Sequence, residues 1–92
     1  MIQSFKDSEM RDLYETGSSR RWGNIAAVAL RKLDQIEAAI NLEELRLPPG
    51  NHLEALKGER AGQHSIRINN QFRLCFVWMD DGAHEVEIVD YH

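Results

Sequence analysis

Residues 65–91 read Ser65-Ile66-Arg67-Ile68, Asn69-Asn70-Gln71, Phe72-Arg73-Leu74-Cys75-Phe76-Val77-Trp78-Met79, Asp80-Asp81-Gly82-Ala83-His84 and Glu85-Val86-Glu87-Ile88-Val89-Asp90-Tyr91. Three apolar runs alternate with period two, and two turn signals separate them. Phe72, Leu74, Phe76 and Trp78 fall on one face of the middle run, Arg73, Cys75 and Val77 on the other. Asn69-Asn70-Gln71 can pass through left-handed positions, and Asp81-Gly82 is a strong hairpin signal. Links this short make residues 64–91 an antiparallel meander.

Working outward, the strongest helical periodicity lies at 20–40. Trp22, Ile25, Ala26, Ala29, Leu30, Leu33, Ile36 and Ile40 line one face, with Arg31, Lys32, Asp34, Gln35 and Glu37 largely on the other. The pattern predicts one long amphipathic helix. A shorter helix precedes it: Asp7 or Ser8 caps it, Met10, Leu13 and Tyr14 give its apolar spacing, and Gly17 stops it. Residues 2–5 are a candidate short strand. Asn41 with Glu44 reads as a capping box for one further turn, after which Pro48-Pro49 forbids helix. The expected fold is α+β, two N-terminal helices packed on a small antiparallel β-sheet.

The chain has 92 residues, enough for a single domain spanning 1–92. An apolar fraction of 42% and a charged fraction of 28% are those of a globular protein. No apolar run is long enough to span a membrane, no signal-peptide core precedes residue 7, and one cysteine cannot form an intrachain disulfide. A cytoplasmic protein without membrane partners is expected. No Cys/His spacing suggests zinc, so neither metal nor organic cofactor is expected.

The net charge of −4 argues against a general nucleic-acid binder. The charge is segregated, however: Lys57, Arg60, Arg67 and Arg73 face only Glu59 between positions 57 and 73. Lys57, Arg60 and Arg67 could track a phosphate backbone or form an ordinary solvated face. Arg73 either snorkels to the sheet edge or lines an anion-binding face, where its paired donors suit phosphate. Trp22 reads as a core anchor rather than a base-stacking platform. The chain ends on Asp90-Tyr91-His92, which is either a frayed polar terminus or a proton-handling cluster. Together these groups could support phosphodiester cleavage of RNA. The 2′-hydroxyl is the nucleophile there, and the protein supplies a base, an acid and cations for the developing charge.

The sequence resembles HigB-type toxins of the RelE superfamily, in the branch that includes the GraT-like toxins. The matching features are Phe5, the long second helix, Pro48-Pro49-Gly50-Asn51, Leu56-Lys57-Gly58-Glu59-Arg60 with Gly62, Ser65-Ile66, Phe72-Arg73 and Asp90-Tyr91-His92. The resemblance runs nearly the whole length. It implies a RelE-like fold with a concave sheet face, and the toxin of a type II toxin–antitoxin system: a metal-independent, ribosome-dependent mRNA endoribonuclease that inhibits translation. It also implies a helix-turn-helix HigA-type antitoxin, contacts with ribosome and mRNA, and operator DNA binding only through the antitoxin complex.

By position, Arg73 would stabilise charge on the scissile phosphate, Asp90, Tyr91 and His92 would form the acid–base and orienting cluster, and Lys57 would support phosphate binding. Arg60, Arg67 and His64 are the further RNA-binding candidates. One departure concerns the base. Family members carry a histidine three positions before the lysine, where this chain has Glu54. Glu54 is the candidate base if its pKa is raised, or else it marks a weaker enzyme, while His52 is expected to face elsewhere unless the loop shifts. The rival expectation is a non-catalytic toxin on the same scaffold that acts by binding a target such as gyrase.

Overall fold

The alternation at 72–79 folds as read and both turns form, but Asn69 and Asn70 turn the chain without left-handed φ, and the second turn is Asp80-Asp81, so that the last strand starts at Gly82 rather than Glu85. The structure, a computed structural model, describes residues 1–91. Strands β1 (Glu54–Ala55), β2 (His64–Arg67), β3 (Phe72–Met79) and β4 (Gly82–Asp90) form one antiparallel sheet in the order β1-β2-β3-β4. Helices α1 (Ser8–Thr16) and α2 (Ala26–Ala38) cover one face of it. The core lies between: Leu74, Phe76, Ile66 and Val86 from the sheet meet Met10, Leu13, Leu33 and Ile36 from the helices. Short β1 was not foreseen. Two residues carry no readable alternation, and pairing with β2, Glu54 to Ser65 and Ala55 to His64, alone defines them.

The cap signals hold. Asp7 accepts from the Met10 amide at 3.0 Å, Gly17 ends α1 in the left-handed region (φ 78°), and Asn41 with Glu44 closes a capping box. The second helix is shorter than its periodicity predicts. Residues 20–25 are turns instead, tied by the Trp22 amide to Ser19 Oγ at 3.1 Å and by the Ile25 amide to the Trp22 carbonyl at 2.9 Å. Trp22 and Ile25 remain buried, which is why their spacing mimics helix. At the other end Ala39 is extended, and Ile40 is 86% exposed rather than on the core face. The Met1 ammonium donates to the Ile36 and Ala39 carbonyls at 3.4 and 3.3 Å, supplying cation and donors where the helix leaves acceptors free.

Residues 2–5 run parallel to β4 as two isolated bridges, Ile2 with Ala83 and Phe5 with Val86, rather than as a full strand. Gly82 makes this possible. Its φ is 126°, and a Cβ there would stand 2.0 Å from the Met1 carbonyl oxygen. The pairing of β3 with β4 shifts register between Cys75 and Val77, with Glu85 at φ 54°, which is a β-bulge. Among the described residues, no helix is long and apolar enough to cross a membrane.

Candidate active site

The face of the sheet turned away from the helices carries the polar residues. Register places Glu54, Ser65, Cys75 and Glu87 in one row across the four strands, and Arg67, Arg73 and Val89 in the next. Residues opposite one another in a sheet share a face, so parity alone gathers two arginines, two carboxylates, a hydroxyl and a thiol there.

Arg73 is the fixed point. Its side chain is only 12% exposed, and its guanidinium is held from behind. Nε donates to Ser65 Oγ at 2.8 Å, and Nη2 donates to the His52 carbonyl and, at 3.5 Å, to the Ser65 carbonyl. Nη1 lies 3.8 Å from Glu54 Oε1, a carboxylate 58% exposed at the cleft wall. The Tyr91 ring lies across the group, its centroid 5.9 Å from Arg73 Cζ. Arg73 is thus a cation lining a face, with two of its three nitrogens pre-oriented by backbone and buried hydroxyl. Of the two readings open to it, this geometry supports the anion-binding one.

Arg73, Glu54, Arg67 and Tyr91 line one cleft of about 330 Å³ with His52, Asn69 and Asn70. Arg67 is braced from Nε to the Asn69 carbonyl at 3.2 Å and from Nη2 to Asn70 Oδ1. The Tyr91 hydroxyl is 3.7 Å from Cys75 Sγ. Burial, then the thiol contact, pushes the Tyr91 pKa up, and burial pushes the Cys75 thiol up as well. Both therefore keep their protons at neutral pH, so Tyr91 can donate or orient but is no base.

The other predicted residues lie elsewhere. Arg60 donates from Nη1 to Glu87 Oε2 at 3.2 Å and to Gln63 Oε1 at 3.1 Å, so it reaches the same sheet face without lining the cleft. Burial lowers its pKa, but the bond and charge of Glu87 outweigh this and raise it. Lys57 is exposed at the start of a 3-10 turn, Gly58–Arg60, just beyond β1. His64 pairs with Phe76 in the sheet, which puts it on the helix-facing side, away from Arg73. Asp90 accepts from Gln71 Nε2 at 3.1 Å and is opposite Phe72, so strand alternation turns it from the face that carries Tyr91. His92 lies outside the described residues. Trp22 is 7% exposed, edge-on to Phe72 at 5.6 Å with Arg21 over its ring, and is a core anchor. Among the described residues, no group of three or more His, Cys, Asp or Glu side chains is placed to hold a metal ion.

Sequence reading missed His52, Ser65, Asn69 and Asn70. Ser65 was legible in principle, because strand alternation puts it beside Arg73. His52 was not: it takes a left-handed conformation (φ 46°, ψ 57°), and the loop turns it into the cleft.

Fold and cleft together define a small α+β protein that holds an arginine over an open polar cleft on its sheet. The chain belongs to the HigB-like family, described as RelE-like toxins of type II toxin–antitoxin systems, whose model matches residues 3–92. It is 40% identical over 85 residues to Toxin HigB-1 of Vibrio cholerae serotype O1, covering 90% of each chain. It is 26% identical over 98 residues to Endoribonuclease HigB of Proteus vulgaris, covering all of both. Among solved structures it resembles the YoeB-YefM complex from Staphylococcus aureus, with a TM-score of 0.62 at 17% identity over 100% of this chain and 98% of that one. That likeness bears on fold alone. Membership of a toxin–antitoxin family makes an antitoxin the partner.

Proposed function

We propose that this chain inhibits translation as a ribosome-dependent mRNA endoribonuclease, with the Arg73 cleft as its active site. The observation that carries the proposal is the fixed guanidinium of Arg73 facing a cleft with a carboxylate, Glu54, 3.8 Å away. The name of the Proteus vulgaris relative, an endoribonuclease, supports the same reading. RNA brings its own nucleophile. Glu54 takes the 2′-hydroxyl proton, the 2′-oxygen attacks phosphorus, and Arg73 stabilises the charge that builds on the phosphoryl oxygens. The bond to the 5′-oxygen breaks, leaving a 2′,3′-cyclic phosphate and a 5′-hydroxyl. Tyr91, still protonated, orients the leaving side. His92, the next residue, is the candidate proton donor, and Asp90 supports the terminus through Gln71. Arg67 with Asn69 and Asn70 borders the path of the neighbouring nucleotides. Lys57 and Arg60 extend the positive margin beyond β1, and His64 has the weakest claim to RNA contact. The antitoxin is of the helix-turn-helix HigA type in this reading.

The test is induced expression in cells without the antitoxin, with mRNA 5′ ends mapped for the wild type and Arg73→Ala. New ends within codons are expected during translation only, and their loss with Arg73→Ala at equal soluble protein. Growth arrest without new ends would instead identify a toxin that acts by binding.

A further inference from the structure

Among the described residues, the buried polar side chains are Asn51 and Ser65. Burying an amide or hydroxyl is unfavourable unless its hydrogen-bonding groups are satisfied. Both lie behind Arg73, at different removes. Ser65 grips it directly. Asn51 acts at one remove.

The Asn51 amide joins three parts of the chain. Oδ1 accepts from Lys32 Nζ on α2 at 2.5 Å. Nδ2 donates to Gln35 Oε1 on α2 at 2.9 Å, to the Leu45 carbonyl at 3.1 Å and to the Leu47 carbonyl at 3.2 Å. The next residue is His52, whose left-handed backbone is unfavourable for a residue with a Cβ, by roughly 1–3 kcal/mol. Such a conformation persists only where neighbours impose it. Its neighbours do: the Asn51 side chain is tied as above, and the Asn51 and His52 amides donate back to the Pro48 and Pro49 carbonyls at 2.9 and 3.1 Å. In that conformation the His52 carbonyl receives Arg73 Nη2.

We propose that Asn51 is a positioning residue for Arg73: its buried amide locks loop 48–52 to α2, and the lock aims the His52 carbonyl at the guanidinium. Arg73 then has acceptors at both Nε and Nη2, so its plane is fixed before substrate arrives. In Asn51→Ala the Leu45 and Leu47 carbonyls and the Lys32 ammonium lose their common partner. His52 relaxes out of the left-handed region, and of its two hydrogen-bonded braces Arg73 keeps only Ser65. The consequence for rate rests on the proposed endoribonuclease reading. The consequence for the guanidinium does not.

The experiment has two arms, on the purified full chain. The first is proton–nitrogen NMR of the Arg73 guanidinium. Hindered rotation of the Nη groups is expected in the wild type and faster rotation in Asn51→Ala, with the Nε proton still protected by Ser65. The second is mRNA cleavage on programmed ribosomes. Here kcat is expected to fall about 10- to 100-fold, the usual scale for a misplaced catalytic group, with KM within about twofold. A role limited to stability would lower Tm but leave both readouts unchanged per folded molecule. Lys32→Met removes one tether only, from a half-buried position, and is expected to shift both readouts in the same direction by less. It decides the matter should Asn51→Ala not fold. Arg46→Ala, at an exposed ion pair with Glu43, serves as the unchanged control. Wild-type guanidinium dynamics in the folded variants would overturn the proposal. Altered dynamics in a protein whose wild type does not cut mRNA would uphold the positioning role and remove the endoribonuclease reading.

Discussion

Glu54→Gln separates structure from chemistry because its two expected effects differ by orders of magnitude. The substitution keeps shape and removes charge. What it costs in stability is bounded by the ion pair with Arg73, which is long at 3.8 Å and has a carboxylate 58% exposed. Pairs of this kind contribute about 0–1 kcal/mol, since water screens them and long side chains lose freedom in forming them. Arg73 keeps its Ser65 and His52 acceptors, so its orientation survives. Thermal melting should therefore move by only a few degrees. The catalytic effect is larger if Glu54 is the base that the proposed mechanism requires. Losing a general base costs about 10²- to 10⁴-fold in rate. The assay is single-turnover cleavage of mRNA on programmed ribosomes, at saturating protein, with a melt on the same preparation. A rate within about threefold of wild type, beside an unchanged melt, would remove Glu54 from the mechanism and leave the base to His52 or His92. Glu54→His adds a signature. An imidazole with an ordinary pKa near 6.5 would carry the reaction and move the ascending limb of the pH–rate profile toward neutrality. An unmoved limb would mean that residue 54 takes no proton.

Three further outcomes test other parts of the account. Ile36→Ala should cost about 2–5 kcal/mol in denaturant unfolding, whereas Ile40→Ala, past the end of α2, should stay within about 0.5 kcal/mol; equal costs would restore the longer helix. Cys75 and Tyr91 bind their protons more tightly folded than unfolded, so above a pH of about 8.5 the unfolded chain holds fewer protons and stability falls as pH rises. Cys75→Ala with Tyr91→Phe should flatten that alkaline slope, and an unchanged slope would place its cause elsewhere. Glu87→Gln frees Arg60 from its carboxylate. It should raise affinity for a free single-stranded RNA oligonucleotide and steepen the salt dependence by up to about one phosphate contact, while unaltered binding would show that Arg60 does not meet RNA.

Legibility tracked the range of the interactions. Features set by neighbours in sequence were readable: the strand alternation at 72–79, the existence of a hairpin near Asp81-Gly82, the Asp7 cap, the Asn41–Glu44 box and the placement of Arg73 on the other face of the strand from Leu74. Features set by distant chain were not. Helix α2 stops short of residue 40 because Ala39 turns extended, and the Met1 ammonium meets the carbonyls left at its end. Trp22 and Ile25 keep helical spacing through a turn because burial, not hydrogen bonding, sets that spacing. In the site, parity was enough to put Arg67 and Arg73 together. The same alternation parts Asp90 and Tyr91, adjacent in sequence, to opposite faces, but it could not show that a left-handed His52 closes the cleft.

The charges on the sheet face give the proposed function a physical shape. Each arginine on this face that meets a carboxylate does so within the chain: Glu54 at Arg73 and Glu87 at Arg60. Cations bind free nucleic acid by releasing its counterions, and a cation already paired must first give up its partner. Phosphate at Arg73 has to compete with Glu54, and the net charge of −4 repels RNA at longer range. Free RNA should therefore bind weakly. A scissile phosphate delivered by a larger assembly arrives at high effective concentration, and the same competition becomes useful. In the proposed mechanism, Glu54 loses its partner as the phosphate takes over Arg73, at the moment a base is needed beside the 2′-hydroxyl. A polar cleft whose central cation is already paired thus fits the proposed dependence on the ribosome better than indiscriminate cleavage. It also gives a physical reason for an acidic protein to carry an RNA-cutting site.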